Sequence, residues 1–338
     1  MAAQNNAPLP DGLEIAGYRI VKKIASGGFS IVYLASDEDG TPVAIKEYLP
    51  SSLVLRQLGE LAPAISPENL PIYRIGLKCF FEEGRALARI SHPNVVSVLN
   101  FFRANDTVYM VMAYESGCSL QEHILRRRDK PERPLVTERF IRKMFSQVLN
   151  GLREVHTNKL LHLDLKPANI YLRLDGTPIL LDFGAARQTL RTDLPKLYPM
   201  YTPGFAAPEL YEKHASLGPW TDIYSIGAAM FACMAGAPPQ PSDQRKVSDK
   251  MERHYRKLDE AYSSELIEVV RWCLKLDPLE RPPSVFSLQK SLMLKIEEKK
   301  QPSLAEKIKL HIDKFLDGFT KKTKQAELDS KTISENTL

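Results

Sequence analysis

The feature that most constrains this chain is a polar segment, HLDLKPANI at residues 162–170, followed closely by LDFG at residues 181–184. Between them, two short apolar runs flank Asp175–Gly176, which predicts a tight hairpin because Asp-Gly between apolar residues favours a two-residue turn. The two polar segments therefore lie on either side of a hairpin, and their charged and amide side chains come in a fixed order along the chain.

Four side chains of these segments match the requirements of phosphoryl transfer from ATP to a hydroxyl. The reaction needs cations against the phosphates, two carboxylate or amide ligands for magnesium, and a carboxylate facing the acceptor hydroxyl. Asp164 can accept or orient that hydroxyl, and Lys166 can lie against the transferred phosphate. Asn169 can bind a metal through its amide oxygen, and Asp182 follows as the main magnesium ligand.

Hydrophobic periodicity divides the chain into a strand-rich part and a helix-rich part. From Tyr18 to Leu53 apolar and polar residues alternate, with a hairpin signal at Asp39–Gly40, and TVYMVM at 107–112 is a further strand candidate. Beyond about residue 115 the spacing becomes helical. The first long helix is expected to bury Ile141, Met144, Phe145, Val148, Leu152 and Val155. The pattern predicts two lobes joined at a hinge.

Composition narrows the function classes. The 338 residues carry 46 basic and 41 acidic side chains, and a net charge of +5 is mild for a nucleic-acid binder. The four cysteines form no CxxC pair, which argues against a zinc site and fits a reducing compartment. Residues 1–12 lack signal-peptide features, and the apolar run at 226–237 is too short to span a bilayer. We expect a cytoplasmic protein without nucleic-acid partners.

On these motifs the sequence resembles the eukaryotic-like protein kinase superfamily, in its bacterial branch, over about residues 14–296. The resemblance implies a bilobal α+β fold with a small antiparallel-sheet N-lobe (14–113), a hinge (113–117) and a mainly helical C-lobe (118–296). It further implies a transferase that uses ATP and Mg²⁺, with Mn²⁺ as an alternative metal, and phosphorylates serine or threonine hydroxyls of proteins.

The resemblance also assigns a nucleotide site. Lys46 in VAIKEY is expected to grip the α- and β-phosphates and to pair with a helix glutamate. Helical spacing selects Glu83 over Glu82, because Glu83 lies three residues after Phe80 and four before Leu87 and so points inward. The other nucleotide contacts implied by the family are Ile24, Gly27, Gly28, Val32, Ala44, Met112, Ala113 and Glu115.

Further positions match residues that the family places around the catalytic loop. Thr202 in YTPGFAAPE matches the threonine that contacts the catalytic aspartate and lysine, and with Lys166 it favours serine or threonine over tyrosine as acceptor. Glu209 and Arg281 are expected to form a buried, structural ion pair that anchors the activation segment. Asp222 matches the aspartate that holds the catalytic loop by its backbone amides.

Two departures from the family pattern concern the N-lobe. In the loop IASGGFSIV, Ala25 and Ser30 replace two of the three usual glycines, which is expected to loosen nucleotide binding or alter loop motion. The interval from Lys46 to Glu83 is longer than usual, and this insertion, residues 50–78, contains enough apolar residues to pack. We expect it to brace or shift the helix that carries Glu83.

A third departure concerns regulation. Leu163 replaces the arginine that normally receives a phosphate on the activation loop. Activity without loop phosphorylation is therefore expected, although hydroxyl side chains are present there. These are Thr189, Thr192, Tyr198 and Tyr201.

The C-terminal stretch, residues 299–338, is predicted as an appendage. Within 303–320, apolar residues fall at helical spacing opposite acidic ones, which favours docking against protein, with membrane contact or an undocked helix as alternatives. Residues 323–338 are polar and expected to be disordered. The basic cluster at 126–133 is predicted as a solvated loop, with a docking patch for acidic partners as the alternative.

Two other function classes remain open from the sequence. A pseudokinase or scaffold would keep the fold and bind partners through the insertion and tail, but Lys46, Asp164, Asn169 and Asp182 are all present. A small-molecule phosphotransferase would share the catalytic loop. The protein-docking motifs that speak against it are Thr202, AAPEL, Asp222 and Arg281.

Overall fold

The N-terminal part of the chain consists mainly of antiparallel strands, as its alternating apolar pattern predicts. The computed structural model describes residues 6–128, 134–183 and 201–293. The strands are β1 (Glu14–Ile15), β2 (Tyr18–Ser26), β3 (Ser30–Ser36), β4 (Pro42–Tyr48), β5 (Val54–Leu55), β6 (Ala64–Ile65), β7 (Val98–Ala104), β8 (Thr107–Ala113), β9 (Gly117–Ser119), β10 (Ile170–Arg173) and β11 (Pro178–Leu180). Six of them form one sheet in the order β1-β2-β3-β4-β8-β7.

Helices dominate the C-terminal part. The helices there are α2 (Leu120–Arg128), α3 (Glu138–Thr157), α4 (Pro219–Ala235), α5 (Ser242–Val247), α6 (Met251–Arg256), α7 (Ser264–Cys273) and α8 (Val285–Met293), whereas α1 (Leu70–Leu87) belongs to the N-terminal part. Helix α3 begins after Thr137, whose side chain accepts the Phe140 amide as an N-cap. Every residue of its predicted apolar face is at most 2% exposed.

Two hydrophobic cores correspond to the two predicted lobes. One core lies between the six-stranded sheet and α1, and the other is built mainly from α3, α4 and α7. The connection between them is short, because β8 ends at Ala113 and β9 begins at Gly117. The bilobal α+β fold predicted from the sequence is confirmed, and the short connection between the two cores lies within the predicted hinge, residues 113–117.

The compact unit extends beyond the predicted domain start at residue 14. Leu9 is 1% exposed, and its backbone amide donates to the hydroxyl of Tyr33. The insertion is also more ordered than a loop, since β5 pairs with β6 and α1 already begins at Leu70, with Pro71 in its first turn. The last part of the predicted insertion is therefore helix.

Several predicted features lie outside the described residues. These are the appendage 299–338 with its helix 303–320, the activation-segment positions Thr189, Thr192 and Tyr198, and the part of the basic cluster beyond Arg128. Over the three described ranges, we find no helix that is both long and apolar enough to cross a bilayer. The apolar run at 226–237 lies instead largely within the buried helix α4.

Candidate active site

The carboxylate of Asp164 lies at the centre of a hydrogen-bonded network. The ammonium of Lys166 donates to Asp164 Oδ2 at 2.7 Å and to Thr202 Oγ1 at 2.9 Å, while the Thr202 hydroxyl donates to Asp164 Oδ1 at 3.2 Å. Asn169 Nδ2 donates to the Asp164 carbonyl at 2.8 Å and to Oδ2 at 3.0 Å. The Asp164 side chain remains 19% exposed, so a fixed carboxylate faces a space that solvent can reach.

Asp222 on α4 binds the backbone of the loop that carries Asp164. Its fully buried carboxylate accepts the backbone amides of His162 at 2.9 Å and Leu163 at 2.8 Å, and contacts His156 Nε2 at 2.8 Å. Burial acts to raise the pKa of Asp222, but hydrogen bonds and charge from His156 and the amide of His162 hold that pKa below its ordinary value. The carboxylate therefore stays ionised and orients the loop that carries Asp164.

Leu163 adopts left-handed backbone geometry, with φ of 62°, which costs a residue with a Cβ about 1–2 kcal/mol. The charge-assisted hydrogen bonds to Asp222 offset this cost. The Leu163 side chain, 3% exposed, forms a small apolar cluster with Leu161, against which Leu210 and Leu217 pack. The position where the family has a phosphate-binding arginine thus makes apolar contacts with the region after the activation segment.

Asp182 and Asn169 carry the carboxylate and amide oxygens that magnesium takes as ligands. Asp182 also has left-handed geometry, with φ of 54°, and its side chain is 46% exposed. The next residue, Phe183, is fully buried, and its ring packs against that of His162 at 4.4 Å between centroids with the planes tilted by 36°, which restrains the backbone. Since the Asn169 nitrogen binds Asp164, its amide oxygen points elsewhere and suits a hard cation.

Lys46 extends from β4 into the same space. Its ammonium lies 2.5 Å from Asp182 Oδ1, and its side chain is 10% exposed. On α1, Glu83 is 4% exposed, whereas Glu82 is exposed, so the predicted inward orientation of Glu83 is confirmed. The cation of Lys46 and the carboxylate of Asp182 thus form an ion pair in this space.

The side chains predicted to contact adenine lie on β3, β4 and β8. Ala44 and Met112 are directly opposite each other across β4 and β8, and Val32 is opposite Lys46 across β3 and β4. The Ala113 amide donates to the Ser97 carbonyl at 3.0 Å, so the Ala113 carbonyl is the group suited to an adenine amino group. Ile24 on β2 is 42% exposed.

Arg173 is a hinge contact that the sequence reasoning missed. It donates to both carboxylate oxygens of Glu115, at 2.8 and 2.6 Å, and to the Pro93 carbonyl at 2.9 Å. The Glu115 side chain is therefore engaged, which leaves its backbone as the group that can contact a nucleotide. The partners are distant in sequence, so residue spacing carries no signal for this contact.

The glycine-rich loop is short and tied to the chain after β4. The Gly27 amide donates to the Ser30 carbonyl at 2.9 Å, and the Ser51 amide donates to the Gly28 carbonyl at 2.9 Å. A Cβ atom built on either glycine would meet no described heavy atom within 4 Å. The space on the side-chain side of Gly27 and Gly28 is therefore open.

The end of the activation segment is anchored by the predicted ion pair. Arg281 donates to both oxygens of Glu209, at 2.7 and 2.9 Å, and both side chains are buried. The guanidinium also donates to the carbonyls of Lys275, Leu276 and Trp220. This anchor fixes the chain seven residues beyond Thr202, which itself contacts Asp164.

Known proteins with similar sequences are protein kinases. The model of the family described as "Protein kinase domain" matches residues 18–293. The chain is 28% identical over 326 residues to serine/threonine-protein kinase STE20 of Candida glabrata. This match covers 95% of this chain and 32% of that protein. It is 27% identical over 298 residues to serine/threonine-protein kinase D of Synechocystis, and this match covers 85% of this chain and 54% of that protein. The chain spans about a third to about half of the length of these relatives.

Solved structures lead to the same family. A structure described as "PpkA-294 apo form" is 33% identical, with a TM-score of 0.74, and the match covers 84% of this chain and 99% of that one. The Mycobacterium tuberculosis PknI kinase domain, 22% identical with a TM-score of 0.59, covers 84% of this chain and 98% of its own, and shares the fold. The chain belongs to the protein kinase family, in the bacterial branch of its eukaryotic-like serine/threonine kinases.

Proposed function

We propose that this chain transfers the γ-phosphoryl group of ATP to serine or threonine hydroxyls of proteins, in a magnesium-dependent reaction. The observation that carries the proposal is the Asp164 network, in which Lys166, Asn169 and Thr202 hold one accessible carboxylate. Phosphoryl transfer depends on positioning and on charge stabilisation, and the network supplies both.

Each side chain of the network has a distinct task in the proposed reaction. Asp164 orients the acceptor hydroxyl and accepts its proton, while Lys166 stabilises the negative charge on the transferred phosphoryl group. Thr202 contacts both residues and fixes their side chains relative to each other. Asp182 and Asn169 would hold magnesium, which neutralises charge on the phosphates when bound. Lys46 would contact the α- and β-phosphates.

The alternatives are supported less well. A scaffold without activity has no use for a solvent-accessible carboxylate held by three donors, whereas an enzyme does. A phosphotransferase for small molecules does not need the segment after Thr202 to be fixed, yet Arg281 anchors it through Glu209. We further propose a cytoplasmic location and docking of protein partners by residues 303–320.

A labelling experiment tests the proposed function. The purified chain is incubated with γ-labelled ATP and a generic basic protein, with magnesium, with manganese, or with an excess of EDTA. We expect label on phosphoserine or phosphothreonine after acid hydrolysis with either metal, and none with EDTA, because Asp182 and Asn169 need a cation to hold the phosphates. Label found mainly on phosphotyrosine, or equal label with EDTA, would contradict the proposal.

Loop phosphorylation is expected to be dispensable. The double variant Thr189→Ala/Thr192→Ala should retain a rate within about twofold of wild type, because position 163 is leucine and no arginine there receives a phosphate. The rate of the double variant is compared with that of wild type as purified and of wild type after phosphatase treatment, and intact-mass spectrometry counts the phosphates on each protein. A rate loss above about tenfold in the double variant would show that a loop phosphate controls activity through another cation.

A further inference from the structure

The insertion before α1 contains a charged side chain, Arg56, that is completely buried. The side chains of Arg56 and Glu47 are both 0% exposed, and the guanidinium donates to the two Glu47 oxygens at 2.5 and 2.8 Å. The guanidinium also donates to the hydroxyl of Tyr33 and to the carbonyls of Ala7 and Leu61. These five contacts match the five N–H donors of arginine.

Glu47 is held equally well from its other side. It accepts hydrogen bonds from the hydroxyls of Tyr33 at 2.7 Å and Tyr109 at 2.8 Å. Burial and the Glu47 charge raise the pKa of both tyrosines well above its ordinary value, so both remain donors. Replacing a buried ion pair by apolar residues often leaves stability unchanged, so stability alone does not account for such a pair.

The pair lies directly behind the strand that carries the phosphate-binding lysine. Lys46 and Glu47 are neighbours on β4, and successive side chains of a strand point to opposite faces of the sheet. Lys46 points to the cleft, and Glu47 points to the face covered by the N-terminal segment and the insertion. Arg56 therefore binds the strand of Lys46 from the side opposite to the cleft.

The same insertion contacts the glycine-rich loop. Both the amide and the hydroxyl of Ser51 donate to the Gly28 carbonyl, at 2.9 and 3.2 Å, and the Leu49 amide donates to the Phe29 carbonyl at 2.8 Å. These contacts extend the pairing of β3 with β4 up to the tip of the loop. The position of the glycine-rich loop relative to the rest of the sheet thus depends on the position of residues 49–51.

The insertion also fixes the start of α1. Asn69, which precedes the helix, donates through its side chain to the Leu53 carbonyl at 3.0 Å. Tyr48 packs against the helix, and a Cβ atom on Gly76 would lie only 1.8 Å from its hydroxyl oxygen. The Tyr48 ring also contacts the ring of Phe80 at 5.6 Å between centroids. Helix α1, which presents Glu83, is therefore held at close distance to β4.

We propose that Arg56 is a positioning residue for nucleotide binding. By holding Glu47 behind the strand of Lys46, it fixes the insertion, and the insertion holds both the glycine-rich loop and α1 in place. The contacts of the Arg56 backbone extend this arrangement to the N-terminal segment, since its amide donates to Asn6 Oδ1 at 2.7 Å and its carbonyl accepts the Ala7 amide at 3.0 Å. The inference rests on the proposed function, because it concerns the same nucleotide site.

Three variants of the full chain test this role. Arg56→Met removes one buried charge, Glu47→Leu/Arg56→Met removes both, and Arg74→Met makes the same change on the exposed face of α1 as a control. Thermal unfolding, kcat and KM for ATP, and hydrogen exchange over residues 26–30 and 70–87 are measured at a temperature where each variant is folded. The folded fraction is taken from circular dichroism, so that rates refer to folded molecules.

We expect Arg56→Met to lower kcat/KM for ATP about tenfold or more and to speed up exchange in both segments, since small displacements of phosphate-binding groups cost large factors in rate. The double variant should regain part of the thermal stability, because no lone buried charge remains, although the hydroxyls of Tyr33 and Tyr109 lose their acceptor. It should not regain kcat/KM, because apolar side chains do not hold Ala7, Leu61 and Tyr33. The control should match wild type. If Arg56→Met does not fold, kcat/KM and hydrogen exchange of the double variant test the role of Arg56.

These measurements distinguish failure of the Arg56 role from failure of the proposed kinase activity. Wild-type kcat/KM and wild-type exchange in the double variant, or in folded Arg56→Met, would overturn the positioning role of Arg56. If wild type itself transfers no phosphate, the proposed function fails instead. The exchange data then still decide whether Arg56 fixes the loop and α1, because exchange is measured without turnover.

Discussion

Replacing Asp222 by asparagine is expected to reduce phosphoryl transfer about 100-fold or more and to lower the free energy of unfolding by about 3–5 kcal/mol. The carboxylate accepts the amides of His162 and Leu163 and contacts His156. Asparagine has nearly the same shape, but its amide nitrogen is a donor and would face one of these buried N–H groups. The loop carrying Asp164 would then lose a fixed position and gain an unsatisfied donor.

The effect is measured by chemical denaturation and by kcat with saturating ATP. Asp259→Asn makes the same chemical change at an exposed position of the C-lobe and should alter the free energy of unfolding by no more than about 0.5 kcal/mol. A normal rate and normal stability in Asp222→Asn would show that the two backbone hydrogen bonds do not position the catalytic loop.

Replacing Arg281 by methionine is expected to cost about 3–5 kcal/mol of unfolding free energy, because it leaves the Glu209 carboxylate buried and unpaired. It also removes the donors to the carbonyls of Lys275, Leu276 and Trp220. The double variant Glu209→Leu/Arg281→Met should recover part of this loss, since no isolated charge remains in the interior.

A surface ion pair provides the control for this second result. Arg271 pairs with Glu252 and Glu268, which are largely exposed, and Arg271→Met should cost no more than about 1 kcal/mol. Denaturant unfolding of the three variants in parallel gives the comparison. Equal losses of unfolding free energy in Arg281→Met and Arg271→Met would mean that burial of the Glu209–Arg281 pair does not raise the cost of breaking it.

Local pattern was sufficient for most of the elements that carry the site. The Asp39–Gly40 and Asp175–Gly176 signals each lie at the turn of an observed hairpin, because turn chemistry is decided within a few residues. Helical spacing likewise separated buried Glu83 from exposed Glu82. The contacts of Asp222 came only from the resemblance to kinases, since no local spacing links α4 to the catalytic loop.

Other features were beyond local reasoning for a physical reason. Arginine residues are usually exposed, and nothing in the sequence around Arg56 indicates that it is buried. Only the fold brings Glu47, Tyr33 and the N-terminal segment around it. The contact of Arg173 with Glu115 also joins distant parts of the chain. Long-range pairs of this kind leave no periodic signal in a single sequence.

The most direct measurement is the initial rate of γ-phosphoryl transfer to protein by wild type beside Asp164→Ala and Asp182→Asn, at equal concentrations of folded protein. Circular dichroism establishes that all three are folded. Since a positioned proton acceptor contributes about 10²–10⁴ in rate, wild type should exceed Asp164→Ala by a factor in that range, and Asp182→Asn should also be strongly impaired. Equal rates in the three folded proteins would contradict a kinase centred on Asp164.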